Sequence, residues 1–278
     1  MDQHRTAPSR GFLSCFGCCV RDDTSFNEHV LQPLNLFNPS SIQVSVDQLV
    51  AKSRDARAET YRLIGTLHDF SLDEDSSEVQ STAAKWPSAR QSFRVIHRAK
   101  SKTLVLVSDG LSDPFHDLQE DANVNGYGLE FYIETPVSDI GLDVAEIKTS
   151  WQYQLLFTVC SMAAGHGGIR QIIDHMSLLS TEAEGVADSI PSELKQDIVN
   201  SQSRVGALLG LDDDRHDQIP KTIDNMPLTD VKLINIKLIK LPELALITDM
   251  GAEGRKKLAS LFTGDSKLVS SLHRDAVV

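Results

Sequence analysis

Apolar residues recur at both helical and strand spacing from residue 45 onward, which predicts a chain that mixes helices with strands. Ser45 and Asp47 are candidate N-caps for the first helix. One apolar stripe with a polar back follows at helical spacing: Val46, Leu49, Val50, Tyr61, Ile64 and Leu67. This helix is expected to bury a single face.

Strand spacing begins near residue 93. Residues 93–98 alternate apolar and polar side chains, and residues 103–108 are almost wholly apolar. The link between them is Ala99-Lys100-Ser101-Lys102, short enough to predict a β-hairpin. A later strand carries Leu129, Phe131 and Ile133 on one face. Glu130 and Glu134 alternate with them, which predicts a solvent-facing position for both carboxylates.

The second half of the chain is predicted to be mostly helical, with one late strand. Trp151, Leu155, Val159 and Met162 fit one helical face, and Gly165 is a candidate end. A second helix is expected within 167–180 and a third within 190–211, unless the tail of the third turns into a strand. In "VKLINIKLIKLPEL" a strand is predicted, because Val231, Leu233, Ile236 and Leu238 alternate with Lys232, Lys237 and Lys240, and a bulge is predicted at Ile234-Asn235.

A final helix is expected to begin at Asp249 or Ala252, with Leu258, Leu261 and Phe262 facing inward. Strands and helices do not alternate strictly, so a doubly wound sheet is excluded. The predicted fold class is α+β: a mixed, mainly antiparallel sheet packed with helices. Residues 45–278 are predicted to form one domain after a flexible tail, residues 1–44.

The tail contains three clustered cysteines, Cys15, Cys18 and Cys19, beside apolar residues and between Arg10 and Arg21. This composition suits S-acylation, which would attach the chain peripherally to the cytosolic face of a membrane. The alternative is an unmodified tail with reactive thiols. Clustered cysteines make a poor disulfide framework, so a reducing, cytoplasmic compartment is expected. No fourth zinc ligand accompanies them, and no metal or cofactor is expected.

The charge of the chain limits its partners. The formal net charge is -12, and no long run of Lys or Arg occurs. Binding to phosphate backbones needs clustered cations, so nucleic acid is excluded as the main partner. The acidity favours solubility first, and a protein with a basic surface second.

The stretch "TLVLVSDGLSDPF" ends a predicted strand in a turn with hydroxyl and carboxyl groups. A Ser-His-Asp site needs parts brought together from distant segments, and no GxSxG elbow occurs in the chain. Turn chemistry explains the same residues more simply: Asp109 and Ser112 bond local amides, and Gly110 supplies backbone freedom. The alternative is a hydrolase of unrecognised type that uses His116 or His166.

Two other polar stretches are interpreted structurally. "AAGHGGIR" lacks the Lys-Ser/Thr ending of a phosphate loop, so it is predicted to link two helices. "LDDDRHDQ" lacks the glycine and closing glutamate of an EF-hand, so it is predicted to be a solvated loop.

Four segments together resemble the suppressor-of-fused-like domain: "TLVLVSDGLSDPF", "GYGLEFYIETP", "SWQYQLLFTVCSMA" and "LPELALITDMGAEGRKKL". The similar region spans about residues 90 to 262. The cysteine-rich tail and the acidic stretch near 73–78 have no counterpart in that family, and this chain lacks the large C-terminal extension of the animal protein. The transcription factor that the animal protein binds is therefore not expected as a partner of this chain.

The resemblance implies a non-enzymatic α+β domain that binds another protein, and in bacterial relatives an immunity protein against a toxin. The expected mechanism is that a rigid surface covers or scaffolds the partner. Because the shared motif gathers there, the candidate contact residues are Asp109, Ser112, Asp113 and Glu130. An acylated scaffold on a membrane is the third hypothesis.

Overall fold

The computed structural model describes residues 45–73, 86–115, 123–213, 219–264 and 267–278, with six helices and eight strands in these ranges. The helices are α1 (Val46–Ile64), α2 (Val144–Thr149), α3 (Trp151–His166), α4 (Ile169–Met176), α5 (Lys195–Ile198) and α6 (Leu241–Leu261). The strands are β1 (Thr66–Ser71), β2 (Phe93–Arg98), β3 (Thr103–Ser108), β4 (Leu129–Pro136), β5 (Leu179–Ala183), β6 (Val205–Leu209), β7 (Thr222–Ile223) and β8 (Val231–Leu238).

All eight strands form one sheet in the order β1-β2-β3-β4-β8-β6-β5, with β7 also paired to β8. The pairing of β4 with β8 is parallel, and the other strand pairs are antiparallel. Helices pack on this sheet, so the predicted α+β class with a mixed, mainly antiparallel sheet is confirmed. The predicted hairpin is β2 and β3, in register from Phe93 opposite Ser108 to Arg98 opposite Thr103.

Strand β8 changes partner along its length. Its first half pairs with β4 as far as Asn235, and its second half pairs with β6 from Ile236 onward. Ile234 and Asn235, where a bulge was predicted, lie in regular register with Phe131 and Tyr132, just before this change of partner. Where β8 leaves β4, the C-terminal segment takes its place: Val269 forms a parallel bridge with Glu134, and Ser270 N donates to the Glu134 carbonyl at 2.7 Å.

Helix α1 covers one face of the sheet. A capping box begins it, because Ser45 Oγ accepts from Gln48 N and the Gln48 side chain accepts from Ser45 N. Its inner face packs into one apolar cluster: Tyr61, Ile64, Ile96, Val105, Val107, Tyr132, Ile219, Ile223, Val231 and Leu233. The helix ends at Gly65, so Leu67 belongs to β1 rather than to the helical stripe.

Helix α3 covers the opposite face. Alternation along β2 turns Phe93 away from Ile96, and the Phe93 ring lies 5.1 Å from Tyr153 of α3. Both faces of the central strands are therefore covered. The predicted solvent-facing position of Glu130 and Glu134 is wrong, because these residues are buried in the folded chain, at 0% and 3% exposure.

The later helices differ from their predicted bounds. Helix α6 begins at Leu241, earlier than expected, because Glu243 caps it and a proline occupies its first turn. Gly251 interrupts it with φ 58°, and Leu261 is 37% exposed rather than inward-facing. The predicted third helix is only α5, and its tail is strand β6.

The C-terminal segment, residues 267–278, lies against β8 and α6. Ser270 Oγ accepts from Leu238 N at 2.9 Å, and Asn235 Nδ2 donates to the Leu268 carbonyl at 3.2 Å. Glu243, which is 0% exposed, accepts from Arg274 Nη1 at 2.5 Å and from Val277 N at 3.0 Å. A buried carboxylate thus anchors the end of the segment.

Candidate functional site

The candidate site is the turn that follows β3, residues 109–113, where the chain folds back under α1. Gly110 adopts φ 155°, and a Cβ there would lie 2.5 Å from the Arg90 carbonyl. The turn is closed by Asp113 N, which donates to the Gly110 carbonyl at 3.1 Å. Both the backbone conformation and the close approach of Arg90 require glycine.

Arg57 of α1 joins the polar side chains of this turn. Its Nε donates to Asp109 Oδ1 at 2.6 Å, its Nη1 to Ser112 Oγ at 3.0 Å, and its Nη2 to Asp113 Oδ1 at 2.6 Å. The Arg57 side chain is 0% exposed. Because a guanidinium has a planar fork of donors, one side chain fixes three acceptors at once.

A second guanidinium completes the cluster from the solvent side. Arg90 Nη1 lies 3.4 Å from Asp109 Oδ2, and its Nη2 lies 3.2 Å from Asp113 Oδ2. Its side chain is 30% exposed. Ser88 Oγ donates to Asp113 Oδ2 at 2.6 Å. Each oxygen of Asp109 and Asp113 therefore has a partner.

Glu130 of β4 holds the same turn from below. Its Oε1 accepts from Gly110 N at 3.1 Å, from Ser112 N at 2.9 Å and from Ser112 Oγ at 2.6 Å. Its Oε2 accepts from Ser108 Oγ, and Arg57 Nε lies 3.8 Å from Oε1. The carboxylate thus satisfies buried amides that would otherwise lack partners.

Asn125 connects this cluster to the loop before β8. Its Nδ2 donates to Ser53 Oγ at 2.9 Å and to the Ser112 carbonyl at 3.1 Å. Its Oδ1 accepts from Leu228 N and Thr229 N, each at 2.9 Å. We call Arg57, Arg90, Asp109, Ser112, Asp113, Asn125 and Glu130 the Arg57 network.

Burial and charge act in opposite directions in this network. Burial opposes ionisation of Asp109, but the charges of Arg57 and Arg90 outweigh it and lower the pKa of that carboxyl. At Glu130 burial dominates, and its pKa is raised despite Arg57 and two serine hydroxyls. Burial also opposes the charge of Arg57, yet the three carboxylates raise the pKa of the guanidinium. Asp109 and Arg57 are therefore a stable ion pair.

The Ser112 hydroxyl is buried away from any substrate and is bonded on both sides within the chain. Its oxygen accepts from Arg57 and its proton is donated to Glu130, and Ser112 is 0% exposed. The nearby thiol of Cys160 is also buried, and burial raises its pKa well above the ordinary value, so it stays protonated. A buried hydroxyl whose proton is held by a carboxylate that accepts three further hydrogen bonds is a structural donor.

The remaining predicted site residues are placed as follows. Asp109, Ser112, Asp113 and Glu130 come together but are all buried, so their predicted contact with a partner stays a prediction. Cys15, Cys18, Cys19 and His116 lie outside the described residues. His166 ends α3, on the surface, and its Nδ1 accepts from Gly168 N at 3.3 Å.

The described ranges contain neither a metal cluster nor a membrane-spanning helix. No group of three or more His, Cys, Asp or Glu side chains there is arranged to hold a metal ion. None of the helices in those ranges combines the length and the apolar character that a bilayer crossing requires.

Arg57, Arg90 and Asn125 are the members of the network that the sequence pattern did not identify. Arg57 lies on the apolar stripe of α1 itself, seven positions after Val50 and seven before Ile64. Its neighbours on the inner face are small or polar, namely Ser53, Ala56 and Thr60. The place of the arginine on the apolar stripe and the small residues around it are the local signals that the position is buried.

Comparisons with known proteins show similarity at the level of structure alone. No family model matches the sequence, and no curated protein matches it. The chain is similar to a chain of "the Sufu-Fu complex crystal structure", with 13% identity and a TM-score of 0.48. The superposition covers 84% of this chain and 91% of that chain.

Proposed function

We propose that this chain is a non-enzymatic protein-binding module that acts by covering or scaffolding a partner protein. The proposal rests on the hydrogen bonds made by the side chains of the turn after β3. Each of its candidate reactive groups is already bonded inside the chain, to Arg57, Arg90 or Glu130. Groups used in this way support a surface rather than react with a substrate.

The proposed mechanism depends on rigidity. The Arg57 network joins α1, the turn after β3, strand β4 and the loop before β8 through buried hydrogen bonds. A surface that is already ordered loses little conformational entropy on binding, so more of the contact energy appears as affinity. The net charge of -12 favours a partner with a basic surface, and attraction between them speeds association.

The test distinguishes side chains that contact the partner from side chains that only stabilise the binding surface. The full chain would be used to capture a partner from an extract of its native cell, and the Kd of the purified partner would then be measured. Asp113→Asn and Glu130→Gln should lower the midpoint of urea unfolding. If these side chains only support the surface, the Kd for the folded fraction stays within about twofold. The matched control is Glu59→Gln, an exposed carboxylate on α1.

A hydrolytic activity would contradict the proposal. A fluorophosphonate probe should leave Ser112 unlabelled, because its side chain is 0% exposed and its oxygen accepts from Arg57. Turnover of a simple ester or phosphoester that is lost in His166→Ala, with folding intact, would establish the hydrolase hypothesis instead. A toxin-neutralising role is a narrower form of the binding proposal and would be supported by rescue of cells that express the captured partner.

Peripheral membrane attachment is a separate proposal. It rests on the composition around Cys15, Cys18 and Cys19. Replacing all three by serine should move the chain from the membrane fraction to the soluble fraction of its native cell. A wild-type chain that is found only in the soluble fraction would rule out this attachment.

A further inference from the structure

A cavity of about 620 Å³ opens beside β8, where this strand changes partner from β4 to β6. It shares no residue with the Arg57 network. Most of its walls are apolar, and they come from four parts of the chain: Ile173 before β5, Leu211 after β6, Ile219 before β7 and Leu268 in the C-terminal segment. Cavities of this size and apolar character typically hold small molecules.

An unsatisfied acceptor lies at the most buried part of this cavity. Asn235 lines it and is 1% exposed. Its Nδ2 donates to the Leu268 carbonyl, which fixes the orientation of the amide. Its Oδ1 accepts no hydrogen bond of good geometry from the described residues, although the Tyr132 side chain lies beside the same amide. A buried acceptor without a partner costs free energy, and a ligand with an N–H or O–H group would remove that cost.

The rim of the cavity carries a cation that could pair with a ligand. Asp174 is paired with Arg170 and Lys232, Asp212 is paired with Lys221 at 2.6 Å, and Asp213 has an interaction of its own. Lys267 also lines the cavity, and its ammonium group has no hydrogen bond or ion pair within the residues that the structure describes. The ligand group that would pair with Lys267 is therefore negative.

We propose that this cavity binds a small organic anion. The ligand has an apolar body in contact with the walls, a carboxylate or sulfonate group paired with Lys267, and an N–H or O–H group that donates to Asn235 Oδ1. This inference goes beyond the protein-binding function and does not rest on it. Binding of a partner protein and binding of the anion can each fail independently.

Two dyes that differ by one group test the proposal on the full chain. Anilinonaphthalene sulfonate has an apolar body, an anion and an N–H group, and phenylnaphthylamine lacks the sulfonate. Fluorescence titration should give one saturable site per chain for the anionic dye. Lys267→Met should weaken the anionic dye about tenfold and leave the neutral dye unchanged. Lys257→Met, an exposed lysine of α6 outside the cavity, is the matched control.

Two further variants test where the dye binds and whether Asn235 Oδ1 accepts a hydrogen bond from the ligand. Ile219→Trp should fill the cavity and abolish binding of both dyes. Hydroxynaphthoate should displace the anionic dye at lower concentration than naphthoate does, and Asn235→Leu should remove this difference. Cooperative urea unfolding of each variant shows that the dye does not report a loosened core.

Three results would overturn the proposal: no saturable binding to the native chain, binding that survives Ile219→Trp, or equal affinities of the anionic dye for Lys267→Met and Lys257→Met. If Asn235→Leu does not unfold cooperatively, the comparison of hydroxynaphthoate with naphthoate on the wild-type chain decides the role of the acceptor. Equal affinities of these two compounds would contradict it.

Discussion

Arg57 Nη2 and Asp113 Oδ1 lie 2.6 Å apart although 56 positions separate them in the chain, and both side chains are 0% exposed. This pair fastens α1 to the turn after β3. Two ions in a protein interior lose much hydration energy, and their attraction and hydrogen bonds must replace it. The local structure therefore depends on both members of the pair, because removal of one leaves the other charge buried without compensation.

The first prediction concerns Arg57. Arg57→Met keeps an unbranched apolar stem and removes the guanidinium, which leaves Asp109, Asp113 and Glu130 with only the partly exposed Arg90. We expect the free energy of unfolding to fall by about 3–5 kcal/mol, the range for breaking a buried ion pair. Urea unfolding monitored by circular dichroism measures it. Arg54→Met, on the exposed side of the same helix, should change stability by less than about 0.5 kcal/mol.

A cost below about 1 kcal/mol for Arg57→Met would mean that the carboxylates protonate or reach water readily. The network would then be a weak contributor, and the rigid surface that we propose would lack its support.

The second prediction concerns Gly110. An alanine there would adopt a strained φ and place its Cβ 2.5 Å from the Arg90 carbonyl. Gly185 provides the matched control, because it has φ 79° and an added Cβ would meet no atom within 4 Å. We expect Gly185→Ala to cost about 1 kcal/mol from backbone strain alone. Gly110→Ala should cost roughly 2 kcal/mol more, because the turn must also move. Urea unfolding of both variants measures the two costs, and equal values would show that the turn yields to the added methyl group.

The local sequence pattern was sufficient to predict the features that depend on residues close together in the chain. The N-cap at Ser45, the β2–β3 hairpin and the course of β8 each follow from residues a few positions apart. Strand β1 was missed because Leu67 fits the helical stripe of α1. The signal against that assignment was Gly65, between the helix and Leu67. In the folded chain a Cβ at Gly65 would lie 2.5 Å from the His97 carbonyl.

The network could not be predicted because its members meet only in the folded chain. Alternation along β4 correctly placed Glu130 and Glu134 on one face, but periodicity does not tell whether that face is covered. Here it is covered, and each glutamate has its own cation: Arg57 for Glu130, and Arg98 for Glu134 at 2.6 Å. Burial of a strand's polar face is decided by the tertiary packing of segments that lie far away in sequence.

The third prediction concerns the anchor of the C-terminal segment. Arg274 donates to both oxygens of Glu243 and to the Leu238 carbonyl. Arg274→Met should leave the buried Glu243 carboxylate with backbone donors only and destabilise the chain by about 3 kcal/mol. Amide hydrogen exchange of residues 268–277 should become faster. His273→Ala, an exposed neighbour, is the control and should leave exchange unchanged. Unchanged exchange in Arg274→Met would show that the other bonds of the segment suffice.

The last prediction uses the pH dependence of stability. Lys237 is 1% exposed, beside Glu134, Glu243, Arg274 and the ring of Phe262. Burial, and next the charge of Arg274, lower its pKa from the ordinary 10.5 to about 7. Between these two values the unfolded chain holds a proton at this lysine that the folded chain has lost. The lysine therefore destabilises the fold most below pH 7, and this penalty disappears as the pH rises toward 10.5.

Lys237→Met removes the titration and keeps the apolar stem. We expect the wild type to gain stability relative to this variant between about pH 7 and about pH 9, by at most about 1.4 kcal/mol per pH unit. Urea unfolding at each pH measures the difference, and Lys256→Met, an exposed lysine of α6, should give a curve parallel to the wild type. If Lys237→Met also runs parallel to the wild type, the ammonium keeps its proton in the folded chain. In that case Glu134 and Glu243 outweigh the burial of Lys237, because they are the groups that raise its pKa.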